Sequence, residues 1–132
     1  MSTNPPAATP ATKPWPTELR LRKDRTALQV TFETGESFAL PAEILRVRSP
    51  SAEVQGHSPA ERKLVAGKRN VEILEVQPVG NYAVRLVFDD LHDTGIFSWE
   101  YLLECGRNLA TWQTDYEAEL AAAGLSREPA KR

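Results

Sequence analysis

Leu28, Val30 and Phe32 alternate with Gln29 and Thr31, and Leu19 and Leu21 alternate with Arg20 and Arg22, a period of two that leaves one face of a strand apolar. In the C-terminal third the period changes. Leu109, Trp112, Tyr116, Leu120 and Ala123 recur at steps of three and four, the spacing of one helical face. Strands first and helices last predict an α+β fold, a small antiparallel sheet of two hairpins with C-terminal helices packed on one face.

Pairing follows from the loops. A Glu33-Thr34-Gly35 loop sets Val30 opposite Phe38 and Leu28 opposite Leu40, with Gly35 at the loop position that needs a positive φ. A Val79-Gly80-Asn81 loop would set Leu74 opposite Leu86, Glu75 opposite Arg85 and Val76 opposite Val84, with Asn81 taking the positive φ. Pro41 to Leu45 suits a short helical turn. Ser98 caps a helix through Trp99, Leu102 and Leu103, and Gly124 ends the last helix with Leu125 folding back on it.

The ends differ from the body. Beyond Met1, residues 1–14 hold no large apolar side chain and read as a disordered tail, residues 15–127 as one domain, and residues 128–132 as a second short tail. No secretory or mitochondrial targeting pattern is visible, so the expected setting is a bacterial-type cytoplasm. No apolar run approaches the ~20 residues of a membrane span. A net charge of -2 offers no overall attraction to nucleic acid or an anionic membrane, and one cysteine cannot form an intramolecular disulfide.

That near-neutrality is a cancellation. Residues 1–88 hold twelve Lys/Arg against nine Asp/Glu, whereas residues 89–132 hold four against nine. Arg46, Arg48, Arg62, Lys63, Lys68 and Arg69 lie in or beside the irregular stretch 49–70, where a basic rim could dock an acidic partner or phosphate.

Chemistry-bearing residues are few. His57, His92 and Cys105 are the strong candidates for nucleophilic or metal chemistry, and Cys105 falls in a helix where a small buried thiol fills core. Ala66-Gly67-Lys68-Arg69 lacks the rest of a phosphate-binding loop, and no GxGxxG is present. Asp89, Asp90 and Asp93 flank His92 at a turn before a helix, an arrangement that could ligate a cation or simply cap the turn.

As a string, Phe88-Asp89-Asp90-Leu91-His92-Asp93-Thr94-Gly95-Ile96-Phe97-Ser98-Trp99-Glu100-Tyr101-Leu102 is more specific. With Leu45-Arg46-Val47-Arg48-Ser49-Pro50-Ser51-Ala52-Glu53-Val54-Gln55-Gly56-His57 and Val79-Gly80-Asn81-Tyr82-Ala83-Val84, it resembles the N-terminal domain of γ-butyrobetaine hydroxylase, a domain of unknown function also found fused to Mrp-type iron–sulfur carriers. The resemblance spans roughly residues 17–127. It implies an accessory domain, since the hydroxylases carry their iron- and 2-oxoglutarate-dependent chemistry in a separate barrel. It also implies a zinc position formed by three cysteines and a histidine, which here falls on Ser49, Ser51, Val54 and His92. A Cys-rich zinc site is therefore not expected.

Two readings follow. The first is a non-catalytic module that binds a protein partner through Arg46, Arg48, Ser49, Ser51 and Trp99, with the resemblance implying a link to iron–sulfur or iron-dependent metabolism. The second is a small metal-binding protein holding Fe, Mn or Zn on His92, Asp89, Asp90 and Asp93, with His57 near in space. Trp99, Tyr101 and Trp112 suit helix packing, while Trp15, between Pro14 and Pro16, either pins the leading segment or contacts a partner.

Overall fold

The computed structural model describes residues 14–56 and 58–129. Two three-stranded antiparallel sheets share one core. The first holds β1 (Pro16–Leu21), β2 (Ala27–Phe32) and β3 (Ser37–Pro41) in that order, and the second holds β4 (Ile73–Val79), β5 (Ala83–Phe88) and β6 (Ile96–Ser98). Between them lie two short helices, α1 (Ala42–Val47) and α2 (Ala52–Gln55), and after them α3 (Trp99–Arg107) and α4 (Leu109–Ala122). The α+β reading holds, with each hairpin widened by a third strand into a sheet of its own.

The first hairpin has the expected register, Val30 opposite Phe38 and Leu28 opposite Leu40. Gly35 turns it at φ 92°. Alternation then delivers Leu28, Val30, Phe32 and Leu40 to the core, each at 0–1% exposure. Every such side chain contributes about 1.5–3 kcal/mol when removed from water.

The second hairpin is displaced from its expected register by two residues: Val76 lies opposite Leu86, Gln77 opposite Arg85 and Pro78 opposite Val84. Gly80, at φ 53°, takes the left-handed position assigned to Asn81, because glycine adopts it without a Cβ penalty. An even displacement keeps every side chain on its own face. Leu74 is the exception. The register slips between Ile73 and Glu75, so Leu74 sits in a bulge, 41% exposed, while Ile73 is fully buried and Val76 packs on the core.

Helix α3 starts as the sequence predicts, with the Ser98 hydroxyl accepting from the Tyr101 N–H at 3.1 Å. Gly106 lets it approach β3, since a Cβ there would lie 2.4 Å from the Phe38 ring. Cys105 is buried core, and burial, with Glu104 nearby, pushes its thiol up to about 12, which leaves it protonated and inert. Trp99, Tyr101 and Trp112 pack against the same core.

A smaller cluster joins α1 to α4 through Ile44, Val47, Tyr116 and Leu120. At the end of α4, Gly124 at φ 70° lets Leu125 N–H reach the Leu120 carbonyl at 2.8 Å and Gly124 N–H reach Ala121 at 3.1 Å, a Schellman cap. The chain then straps back. Gly67 and Arg69 N–H groups donate to the carbonyls of Ser126 and Arg127, both at 2.9 Å, and Arg127 forks onto the buried Glu43 carboxylate.

The two charge halves meet inside the molecule. Arg46 and Lys68 both contact Asp90, Arg62 contacts Glu119, Arg69 contacts Glu128, and Arg48 lies 4.6 Å from the Trp112 ring centroid. What reads as a basic rim in the sequence is largely internal complementarity.

Candidate functional site

The turn after β5 and the segment after α1 lie against each other. Phe88 accepts from Leu91 N–H at 3.0 Å and donates its own N–H to the His92 carbonyl at 3.0 Å, so residues 88–92 close a tight turn. Its side chains are held from beneath. Asp90 Oδ2 takes Arg46 Nε and Lys68 Nζ, each at 2.7 Å, and its other oxygen accepts from the His92 N–H at 3.1 Å. Burial works against that charge, but Lys68, Arg46 and the His92 amide outweigh it and hold the carboxyl below its usual range. Asp89 accepts from Glu72 N–H at 3.1 Å.

His92 is 5% exposed and uses both ring nitrogens. Nδ1 lies 3.0 Å from Glu53 Oε1, and Nε2 lies 2.9 Å from Ser49 Oγ. A carboxylate can only accept, so Nδ1 carries the proton and Nε2 accepts from the serine hydroxyl. Ser49 in turn accepts from Ser51 N–H at 3.3 Å, and Ser51 Oγ caps α2 at Glu53 N–H and meets Thr94 Oγ1 at 2.6 Å. Burial lowers the His92 pKa, helped by Arg46 and opposed by Glu53 and Asp90.

The order Ser49, His92, Glu53 is the hydrogen-bond order of a nucleophile, base and orienting acid. Here it cannot work as one. Ser49 is fully buried, and a Cβ built on Gly95 would lie 2.3 Å from its Oγ, so backbone fills the space an acyl carbon would need. The relay positions a turn.

Ser49, Ser51 and His92 therefore come together, and Val54, 2% exposed, lies in α2, which Ser51 caps. They do not fit zinc. Two neutral hydroxyls and a valine replace thiolates, and both imidazole nitrogens already have partners. Among the described residues no three His, Cys, Asp or Glu side chains converge as a metal site. Asp93 is exposed, Asp89 and Asp90 are tied as above, and His57 lies outside the described residues. Arg46 approaches this turn through Asp90, Arg48 stacks on Trp112, and Trp99 is elsewhere, with its Nε1 donating to the Asn81 carbonyl at 2.9 Å.

The model of the γ-butyrobetaine hydroxylase-like N-terminal family matches residues 19–103. The chain belongs to this family. Two solution structures are similar over nearly the whole chain: one is 45% identical, covers 90% of this chain and 94% of its own, and has a TM-score of 0.78. The other is 44% identical, covers 96% and 94%, and has a TM-score of 0.77. A crystal structure of a protein of unknown function from Acidithiobacillus ferrooxidans ATCC 23270, assigned to the DUF971 family, is 41% identical over 66% of this chain and 86% of its own, with a TM-score of 0.55. No curated protein matches. Among the described residues no helix of this family member is long and apolar enough to cross a membrane.

The sequence alone points to His92 and its aspartates but not to Glu53, Gly95 or Leu91. Glu53 is distant in sequence and becomes a partner only when α2 folds. Leu91 carries a readable signal: in an Asp-Asp-Leu-His turn it occupies the place where such turns usually hold glycine. Its φ is 74° and it is 85% exposed.

Proposed function

We propose that this domain is an accessory module that binds a protein partner, and that Leu91 is the anchor of its contact surface. A leucine in the left-handed region costs about 1–2 kcal/mol that glycine would avoid. Exposed, it recovers nothing from the core. The turn beneath it is braced by Arg46 and Lys68 on Asp90 and by Ser49 and Glu53 on His92. Strain retained at a rigid, solvent-facing position is explained by a contact made outside the chain. Glu53, Asp89 and Asp93 are the exposed acids of the same segments, so the complementary surface is an apolar pocket with a basic border.

The test is a photo-crosslinking amino acid at position 91, with a second at exposed Lys63 as control. A single crosslinked partner from position 91, lost when the interaction is competed by native protein but not by Leu91→Asp protein, is the expected result. Equal competition by both proteins overturns the proposal.

A further inference from the structure

We propose that the free edge of β1 and the cleft beside it take an extended peptide segment carrying an arginine, whose guanidinium lies against Trp15 and Trp99 and pairs with Glu18. β1 is the outer strand of its sheet, bonded to β2 on one side only among the described residues. A strand edge offers backbone groups to an added strand. Residues 15–19 form one wall of a cleft of about 260 Å³, and Asn81 and Trp99 form the other.

The walls select the side chain. Among the described residues that line the cleft, Glu18 alone is charged, so the cleft's own wall offers a carboxylate. Its present partner, Arg20 Nε at 3.5 Å, belongs to a half-exposed surface pair of the kind that exchanges at little cost. Trp15 is 45% exposed, unusual for so large an apolar side chain, and indole faces attract cations, guanidinium most often among side chains. The Trp99 ring and the Trp15 backbone are held in advance. Trp99 Nε1 donates to Asn81, and the Trp15 carbonyl accepts from Glu33 N–H at 2.9 Å. The same chemistry closes the fold elsewhere, where Arg48 lies over Trp112. This surface does not include the 88–93 turn, so it stands or falls separately from Leu91.

The probe is a set of blocked tripeptides, Val-Arg-Val, Val-Lys-Val and Val-citrulline-Val, titrated into the full-length protein while the three indole N–H signals are followed by NMR. Expected is movement of the Trp15 and Trp99 signals with Trp112 still, arginine binding at least five-fold more tightly than lysine or the neutral citrulline, and a similar loss in Trp15→Ala and Glu18→Gln. Leu91→Gly should bind the arginine peptide as the native chain does. Equal binding of citrulline, unchanged affinity in Glu18→Gln, or no movement at all overturns the proposal. Movement of the same signals with protein concentration alone gives the cleft to a second copy. Arginine-peptide binding that tightens several-fold on deleting residues 1–13 gives the cleft to the chain's own leading segment, and either result overturns the peptide assignment.

Discussion

Ser49 Oγ lies 2.9 Å from His92 Nε2, joining the segment after α1 to the turn after β5 across 43 positions of sequence. Both groups are buried, so neither can exchange its partner for water. That one bond, with Glu53 on the other ring nitrogen, ties α2 to the turn that presents Leu91.

Protonation of His92 should loosen this tie. Its folded-state pKa lies below the ordinary 6.5, first because burial disfavours the charge and then because Arg46 repels it, with Glu53 and Asp90 opposing. Below pH 6.5 the unfolded chain therefore binds more protons than the folded one, and stability falls as pH falls. Urea midpoints measured from pH 7.5 to 5 should decline in the native protein. In His92→Gln the decline over this window should be smaller; an identical slope would remove His92 as its source.

Gly95 and Ser49 should be energetically coupled. An alanine at 95 would place Cβ 2.3 Å from Ser49 Oγ and 3.1 Å from the Phe97 ring, overpacking that costs about 1–3 kcal/mol. Ser49→Ala leaves His92 Nε2 without a donor, costing about 1–3 kcal/mol by itself. In the double variant the worst overlap is gone, so Gly95→Ala should cost less there than alone. Thermal or urea unfolding of the four proteins measures the coupling, and strict additivity contradicts it.

The contrast between the hairpins shows what one chain of residues can and cannot reveal. Glu33-Thr34-Gly35 contains a single residue suited to positive φ, so loop and register follow together. Val79-Gly80-Asn81 contains two, and the choice of Gly80 over Asn81 shifts every pair by two while leaving faces unchanged. β6 is only three residues long and is defined by pairing to β5, which no local period announces. For the site, His92 and its aspartates are conspicuous as composition, but their roles depend on partners brought by folding. Arg46 and Lys68 read as a free basic rim until Asp90 is seen between them.

The C-terminal strap should depend on one ion pair. Arg127 Nε and Nη2 donate to the two oxygens of Glu43 at 2.9 and 2.7 Å, and the Glu43 side chain is 9% exposed. Arg127→Ala leaves that carboxylate buried without its partner, an expected loss of about 1–3 kcal/mol. Arg127→Lys keeps the charge but not the fork and should lose less. Arg69→Ala removes only the exposed pair with Glu128 and should cost under about 1 kcal/mol. Chemical denaturation ranks the three, and a dominant Arg69 effect would contradict the order.

Leu91 should separate stability from binding. With φ at 74° and 85% of its surface in water, its side chain strains the turn and packs on little within the chain. Leu91→Gly relieves the left-handed strain, partly offset by the greater freedom glycine has when unfolded, for a net gain of about 0.5–1 kcal/mol. Leu91→Asn, which tolerates the same backbone, should be close to neutral. Both should weaken partner capture by at least ten-fold, because the apolar anchor is absent while the turn remains. A variant that is more stable yet fails to bind is the signature of a residue kept for its contact. If instead Leu91→Gly lowers the unfolding midpoint, the leucine serves the fold and the interaction surface must lie elsewhere.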